Sequence, residues 1–323
     1  MYNALMCFMM NLISINKSNK FCLDKGLTDL IKFLACLMIA LHHYSQGMVV
    51  AGTHNPIYQL FSTQGGWLGV AIFFFLSGYG LMKSDMKNHQ NPIHFFKNRL
   101  LRTYLPAVLI SVIWGGYLLI WGGQIFDVQW ILSLLWNFND EVLWFVRAIL
   151  KLYVTFYVYV CIASVSPKWF KPFCYIGMAT IAVRWVDAGF VHGSSVLLFF
   201  IGMSIAEYDE WYYKMICKVY APVVFLCTIV SLMILFRHDA AWIHLLINYF
   251  LIASGIIVIA VFTIKVPSLP KWIGGASYDV YLVHNKALML LRPAYAIVPL
   301  WEFVGLAALF TIIFYNFRKF IRL

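Results

Sequence analysis

Apolar positions in this chain run on for a helix length at a time. Short polar stretches, which hold most of the lysines and arginines, separate the runs. A bilayer core takes about 20 consecutive apolar residues per helix. The runs therefore predict about ten spans, over 26–45, 66–82, 103–122, 142–163, 173–189, 194–208, 219–236, 240–263, 272–291 and 300–317. The sixth is short and holds Gly202. The chain is also apolar up to Ile15, and Lys17, Lys20 and Lys25 follow. A cleaved signal peptide has its basic residues first. An interfacial helix, or a start at Met9 or Met10, fits better. The expectation is an all-α polytopic membrane bundle. Residues 1–25 form a cytoplasmic or interfacial segment, 26–317 the transmembrane domain and 318–323 a short tail.

The loop charges predict sidedness. Connections taken alternately fall into two sets. One holds Lys17, Lys20, Lys25, Lys83, Lys87, Lys97, Arg99, Arg102, Lys168, Lys171, Lys214, Lys218, Lys265, Lys271, Arg318, Lys319 and Arg322, and the other only Arg237 and Arg292. Seventeen against two puts the first set, and both termini, in the cytoplasm. It also accounts for a net charge of +11 without nucleic acid. With 63% of residues hydrophobic and 11% charged, the chain excludes an ordinary soluble domain or a disordered one. Its seven cysteines show no C-x-x-C pair and read as core residues, neither disulfides nor a metal site.

Five basic residues remain inside the runs: Lys32, Arg147, Lys151, Arg184 and Lys286. A charge at bilayer depth costs a few kcal/mol or more, so it faces a cavity or a partner. Lys32 and His43 are eleven residues apart, about 20° apart on one helix face with roughly 16 Å of rise between them. His42 lies about 80° off that stripe. By geometry alone the stripe also fits a snorkelling lysine and an interfacial histidine. Trp144, Arg147 and Lys151 share a face, as do Ser277, Tyr281 and His284. Asp279 and Lys286 share another and are expected to pair. Arg99 and Arg102 form a cationic fork at the cytoplasmic rim, suited to phosphates or to plain positive-inside bias.

The motifs come in a recognisable order. Lys32-x10-His43 is followed by Gly69-Val70-x2-Phe73-Phe74-x2-Ser77-Gly78, Arg99-x2-Arg102-x3-Pro106, Leu143-Trp144-Phe145 and Ser277-x3-Tyr281-Leu-x-His284. From about residue 24 to 317 the chain resembles the membrane-bound acyltransferase-3 family, the multi-span O-acyltransferases of bacterial envelope polysaccharides. The resemblance implies cytoplasmic acyl-CoA, usually acetyl-CoA, as donor and no metal. It implies a hydroxyl of an envelope glycan or lipid-linked precursor as acceptor, and residence in the cytoplasmic (inner) membrane. Transfer from a thioester to a sugar hydroxyl needs a general base and charge stabilisation. His43 is then the base, and His284 the second histidine or orienter. Lys32, Arg147 and Lys151 hold CoA phosphates or polarise the thioester. Arg99 and Arg102 bind phosphates at the mouth, and Phe74, Ser77, Gly78, Trp144 and Tyr281 line or pack the site.

Buried charges in such a bundle also suit a transporter or flippase of a glycan precursor or small anionic solute. The broken inverted repeats of many transporters are not visible between the two halves. A polymerase of lipid-linked sugars usually has a long outer loop. The longest here are about 20 residues, Tyr44 to Gly65 and Gly123 to Glu141.

Overall fold

The computed structural model describes residues 13–15, 20–21, 23–89, 91–123, 125, 127–136, 141–186, 194–215, 241–264, 271–292 and 297–321. The span expected at 219–236 lies outside them. The described chain is helical apart from one short strand pairing. Its helices are α1 Lys25–Val50, α2 Pro56–Lys87, α3 Pro92–Trp121, α4 Val128–Trp136, α5 Trp144–Val165, α6 Lys171–Val186, α7 Leu197–Glu207, α8 Asp209–Met215, α9 Ala241–Val261, α10 Lys271–Leu291 and α11 Leu300–Phe320. Of these, α1, α2, α3, α5 and α11 are long and apolar enough to cross a membrane. Strand β1 (Ile13–Ile15) pairs antiparallel with β2 (Phe262–Ile264). An interfacial helix over the apolar N-terminus therefore does not include Ile13–Ile15. Their β-branched isoleucines suit a strand.

Local sequence sets the helix ends. Asp24 caps α1 by accepting from the Leu27 N–H at 2.7 Å. Asn55 and Asn91 cap α2 and α3 in the same way, each followed by a proline in the first turn, where the missing N–H costs no bond. Both α2 and α3 contain a π-helical stretch, at Phe61–Gly65 and Leu100–Tyr104.

Missing side chains bring α2 against two neighbours. A Cβ on Gly66 would strike the His42 ring, and one on Gly69 would lie 2.6 Å from Ile39 Cγ1 and 2.8 Å from the Ala35 carbonyl oxygen of α1. Further along α2, Gly78 abuts the Phe199 carbonyl of α7, and Gly202 of α7 abuts the Phe75 carbonyl of α2. Small residues are what allow two backbones to approach this closely without water between them. The other side of α1 meets α10, which also packs on α11.

Three expectations change. The outer loop expected from Tyr44 to Gly65 is mostly helix, since α1 runs to Val50 and α2 begins at Pro56. The segment from Gly123 to Glu141 is not a simple outer loop. It contains α4, which packs along α3 with Trp130 and Leu134 filling the space at Gly115. The Tyr104 hydroxyl, 17 residues before the end of α3, donates to the Leu135 carbonyl at 3.0 Å. The chain then reaches half-height on α10, where the Tyr281 hydroxyl donates to the Val142 carbonyl just before α5 begins. Asp279 does not pair with Lys286. It accepts from Arg318 of α11 at 2.8 Å, and Lys286 Nζ lies 5.5 Å from the centre of the Trp114 ring.

Candidate active site

The α1–α10 seam carries the chemistry. Both helices are crossed at a constant offset. Cys36 donates its thiol to the Ser277 carbonyl at 2.6 Å, and seven residues further along each helix the His43 and His284 rings stack with centroids 5.4 Å apart. His42 meets the His43 ring edge-on, centroids 4.8 Å apart, but takes its hydrogen bond elsewhere. Its Nδ1–H donates to the Phe61 carbonyl in the π-helical stretch of α2, at 2.9 Å. Adjacent histidines on a helix are about 100° apart, enough to give them different neighbours.

Hydrogen bonds fix the tautomers. A carbonyl only accepts, so the nitrogen facing it carries the proton and a neutral ring keeps its lone pair on the other nitrogen. His284 Nδ1 donates to the Tyr281 carbonyl at 2.7 Å, and His43 Nδ1 donates to Gln46 Oε1 at 3.1 Å. Both stacked rings therefore keep the basic lone pair on Nε2. His284 is fully buried and His43 only partly, so His43 is the one a substrate reaches without parting the helices.

A line of rings continues from this pair into the bundle. Tyr281 lies 5.9 Å from His284, Phe145 lies 5.5 Å from Tyr281, and Phe74 lies 5.0 Å from Phe145. Trp144 packs edge-on against Phe145. Ser77 is partly exposed on α2, one residue before the α2–α7 contact.

The end of the seam where α1 begins is cationic. Half-buried Lys32 has Asp29 within electrostatic reach, and also the cations Arg99 and Lys25. The Arg99 guanidinium lies 5.1 Å from the Phe95 ring centre and 5.2 Å from that of Tyr153. It borders a cavity of about 390 Å³ that Lys97, Tyr104 and Trp136 also line. Arg102 is exposed on the π-helical stretch.

Residues 28–317 match the acyltransferase-3 family model, described as an acyltransferase domain. The chain belongs to the acyltransferase-3 family. Neither a curated protein nor a solved structure matches it significantly. Membership makes this a multi-pass membrane acyltransferase. In this acyltransferase-3 chain the motif residues fall into two groups: His43 with His284 and Tyr281 along the seam, and Lys32 near Arg99 at the end where α1 begins.

Other acyltransferase-3 positions have local tasks. Lys151 donates to the Trp185 carbonyl at 2.8 Å, in the last turn of α6, where a cation also suits the helix dipole. Arg147 is half-buried one turn before it. Among the described residues, no three His, Cys, Asp or Glu side chains are placed to hold a metal ion. Gln46 emerges only in three dimensions. A lone glutamine at i+3 carries no sequence signal, yet it is the group behind His43 Nδ1. Gln46→Ala is expected to lower kcat by roughly three- to ten-fold, the worth of one neutral hydrogen bond. The KM for the acyl donor should stay in place. Steady-state kinetics on matched membranes separate the two.

Proposed function

We propose that this acyltransferase moves an acyl group, usually acetyl, from cytoplasmic acyl-CoA to a hydroxyl of a cell-envelope glycan or its lipid-linked precursor. One observation carries the proposal. A partly exposed histidine with its lone pair on Nε2 sits on the same helix face as a half-buried cation, about 16 Å of helix rise away. The extended pantetheine arm of CoA suits such a separation. Phosphates at the Lys32–Arg99 end place the thioester towards His43.

His43 Nε2 takes the proton of the acceptor hydroxyl, and the oxygen attacks the thioester carbonyl carbon. The tetrahedral intermediate collapses with cleavage of the C–S bond. The proton goes from His43 to the departing sulfur, which leaves as CoA thiol. Lys32 neutralises the donor's charge. His284 backs His43 across the stack, and Tyr281 and Phe145 exclude water from the acyl group. Membranes containing the protein are therefore expected to release free thiol from acetyl-CoA when glycan acceptor is present. A transporter leaves acetyl-CoA intact.

Arg102, exposed at the rim, is assigned to a CoA phosphate. Removing one charge-assisted phosphate contact costs about 1.5–3 kcal/mol, so Arg102→Ala should raise the KM for acyl-CoA by about ten-fold or more. An unchanged KM rejects that assignment.

The topology belongs to the same proposal: ten spans, both termini cytoplasmic, in the inner membrane, with residues 1–25 outside the transmembrane domain. Reporter fusions at Asp127 and Lys168 are expected to report opposite sides. Two cytoplasmic signals reject the ten-span arrangement.

A further inference from the structure

The seam continues beyond the histidines. Gly47 lies one turn past His43 on α1, about 6 Å further along the axis. Arg292 is the first residue after α10, and its backbone N–H still bonds the Leu288 carbonyl at 3.1 Å. Its side chain folds back across the seam. A Cβ added to Gly47 would lie 3.0 Å from Arg292 Nη2 and 3.6 Å from Nε. The guanidinium thus rests where any other residue at 47 would put its side chain. It is also within electrostatic reach of His43.

Two ordinary explanations fall short. A cation suits a helix C-terminus, and an arginine suits a membrane interface. A side chain extended into water satisfies both. Neither brings the guanidinium over Gly47, within electrostatic reach of the histidine. General charge bias does not put it there either, since Arg292 belongs to the outer set with two basic residues against 17. Among the described residues its guanidinium has no hydrogen bond and no ion pair, and the residue stays exposed. Its fork of N–H donors matches a phosphate or carboxylate.

We propose that Arg292 binds an anionic group on the acceptor, a phosphate or a carboxylate, and so holds the acceptor hydroxyl over His43. This rests on the acyl-transfer reading of His43. One helical turn separates the two, so the anion and the reacting hydroxyl lie on the same sugar or on directly linked ones. The anion has two possible sources: the diphosphate of a lipid-linked sugar, or an acidic group within the glycan.

The test uses the full-length protein in nanodiscs and three probes of similar size. These are a short-chain polyprenyl-diphosphate sugar, a uronate-containing disaccharide and the matching neutral disaccharide. Binding and acceptor KM are measured for wild type, Arg292→Gln and Arg292→Lys. Wild type should prefer one anionic probe over the neutral one. Arg292→Gln should weaken that probe by about ten-fold or more, with the KM for acyl-CoA unmoved. Arg292→Lys should restore part of the binding, keeping the charge without the fork. The probe that responds names the source. Gly47→Ala, which crowds the guanidinium without changing charge, should weaken the same probe. Equal binding of charged and neutral probes by wild type, or a preference that survives in Arg292→Gln, overturns the proposal. The two readings separate cleanly. A charge preference in a protein that never consumes acyl-CoA rejects acyl transfer and keeps the anion site. Turnover without any charge preference rejects the anion site and leaves acyl transfer standing.

Discussion

His43→Ala is expected to lower glycan acylation by a factor of about 10²–10⁴, the usual cost of losing a general base. The protein should still insert and accumulate, because among the described residues the half-buried His43 makes one hydrogen bond, to Gln46, and otherwise ring contacts with His284 and His42. His42 is the internal control, with the same chemistry one residue away. It bonds the Phe61 carbonyl, and its ring fills the space at Gly66. His42→Ala should therefore cost stability, about 1–3 kcal/mol for a partly buried contact and its hydrogen bond, and keep most of the activity. Activity per folded molecule, measured on quantified membranes, separates the two effects. If His42→Ala is the dead variant and His43→Ala works, the role assignment is wrong.

The second large effect falls on folding. Gly78→Val should prevent accumulation of folded protein. A Cβ at 78 runs into the Phe199 carbonyl of α7, and backbone cannot swing aside as a side-chain tip can. Overpacking a tight core typically costs 1–3 kcal/mol and occasionally more. This contact is doubled by Gly202 against the Phe75 carbonyl. Gly80, two residues further along α2, would meet nothing within 4 Å. Gly80→Val changes the helix chemistry in the same way without the clash, so its folded yield should stay near wild type. Thermal unfolding in detergent compares them. Similar yields for both variants mean that the α2–α7 contact is looser than described.

The helices were legible because a bilayer imposes a length that few other environments require. The described helices overlap nine of the ten predicted runs. The misreading between Gly123 and Glu141 has a physical cause: α4 is nine residues long, too short to announce itself as a span, and its place along α3 depends on Gly115 and Tyr104. Angular arithmetic separated His42 from His43, since a continuous helix preserves it. The same arithmetic misjudged Asp279. A shared face shows which residues look the same way, but the nearest opposite charge came from Arg318 on α11. Gln46, Lys151 and Arg292 illustrate the remaining gap. Each depends on what lies across a helix contact, and one sequence shows no pattern there.

Acyl transfer itself is tested most directly by following the acyl group. Membranes with wild-type protein, His42→Ala or His43→Ala are incubated with acetyl-CoA labelled in the acetyl group, and glycan-bound label that mild alkali releases is counted. The account predicts alkali-labile label with wild type and His42→Ala, and background with His43→Ala at equal protein abundance. Equal label from all three variants, or none from wild type with its native glycan present, would contradict it.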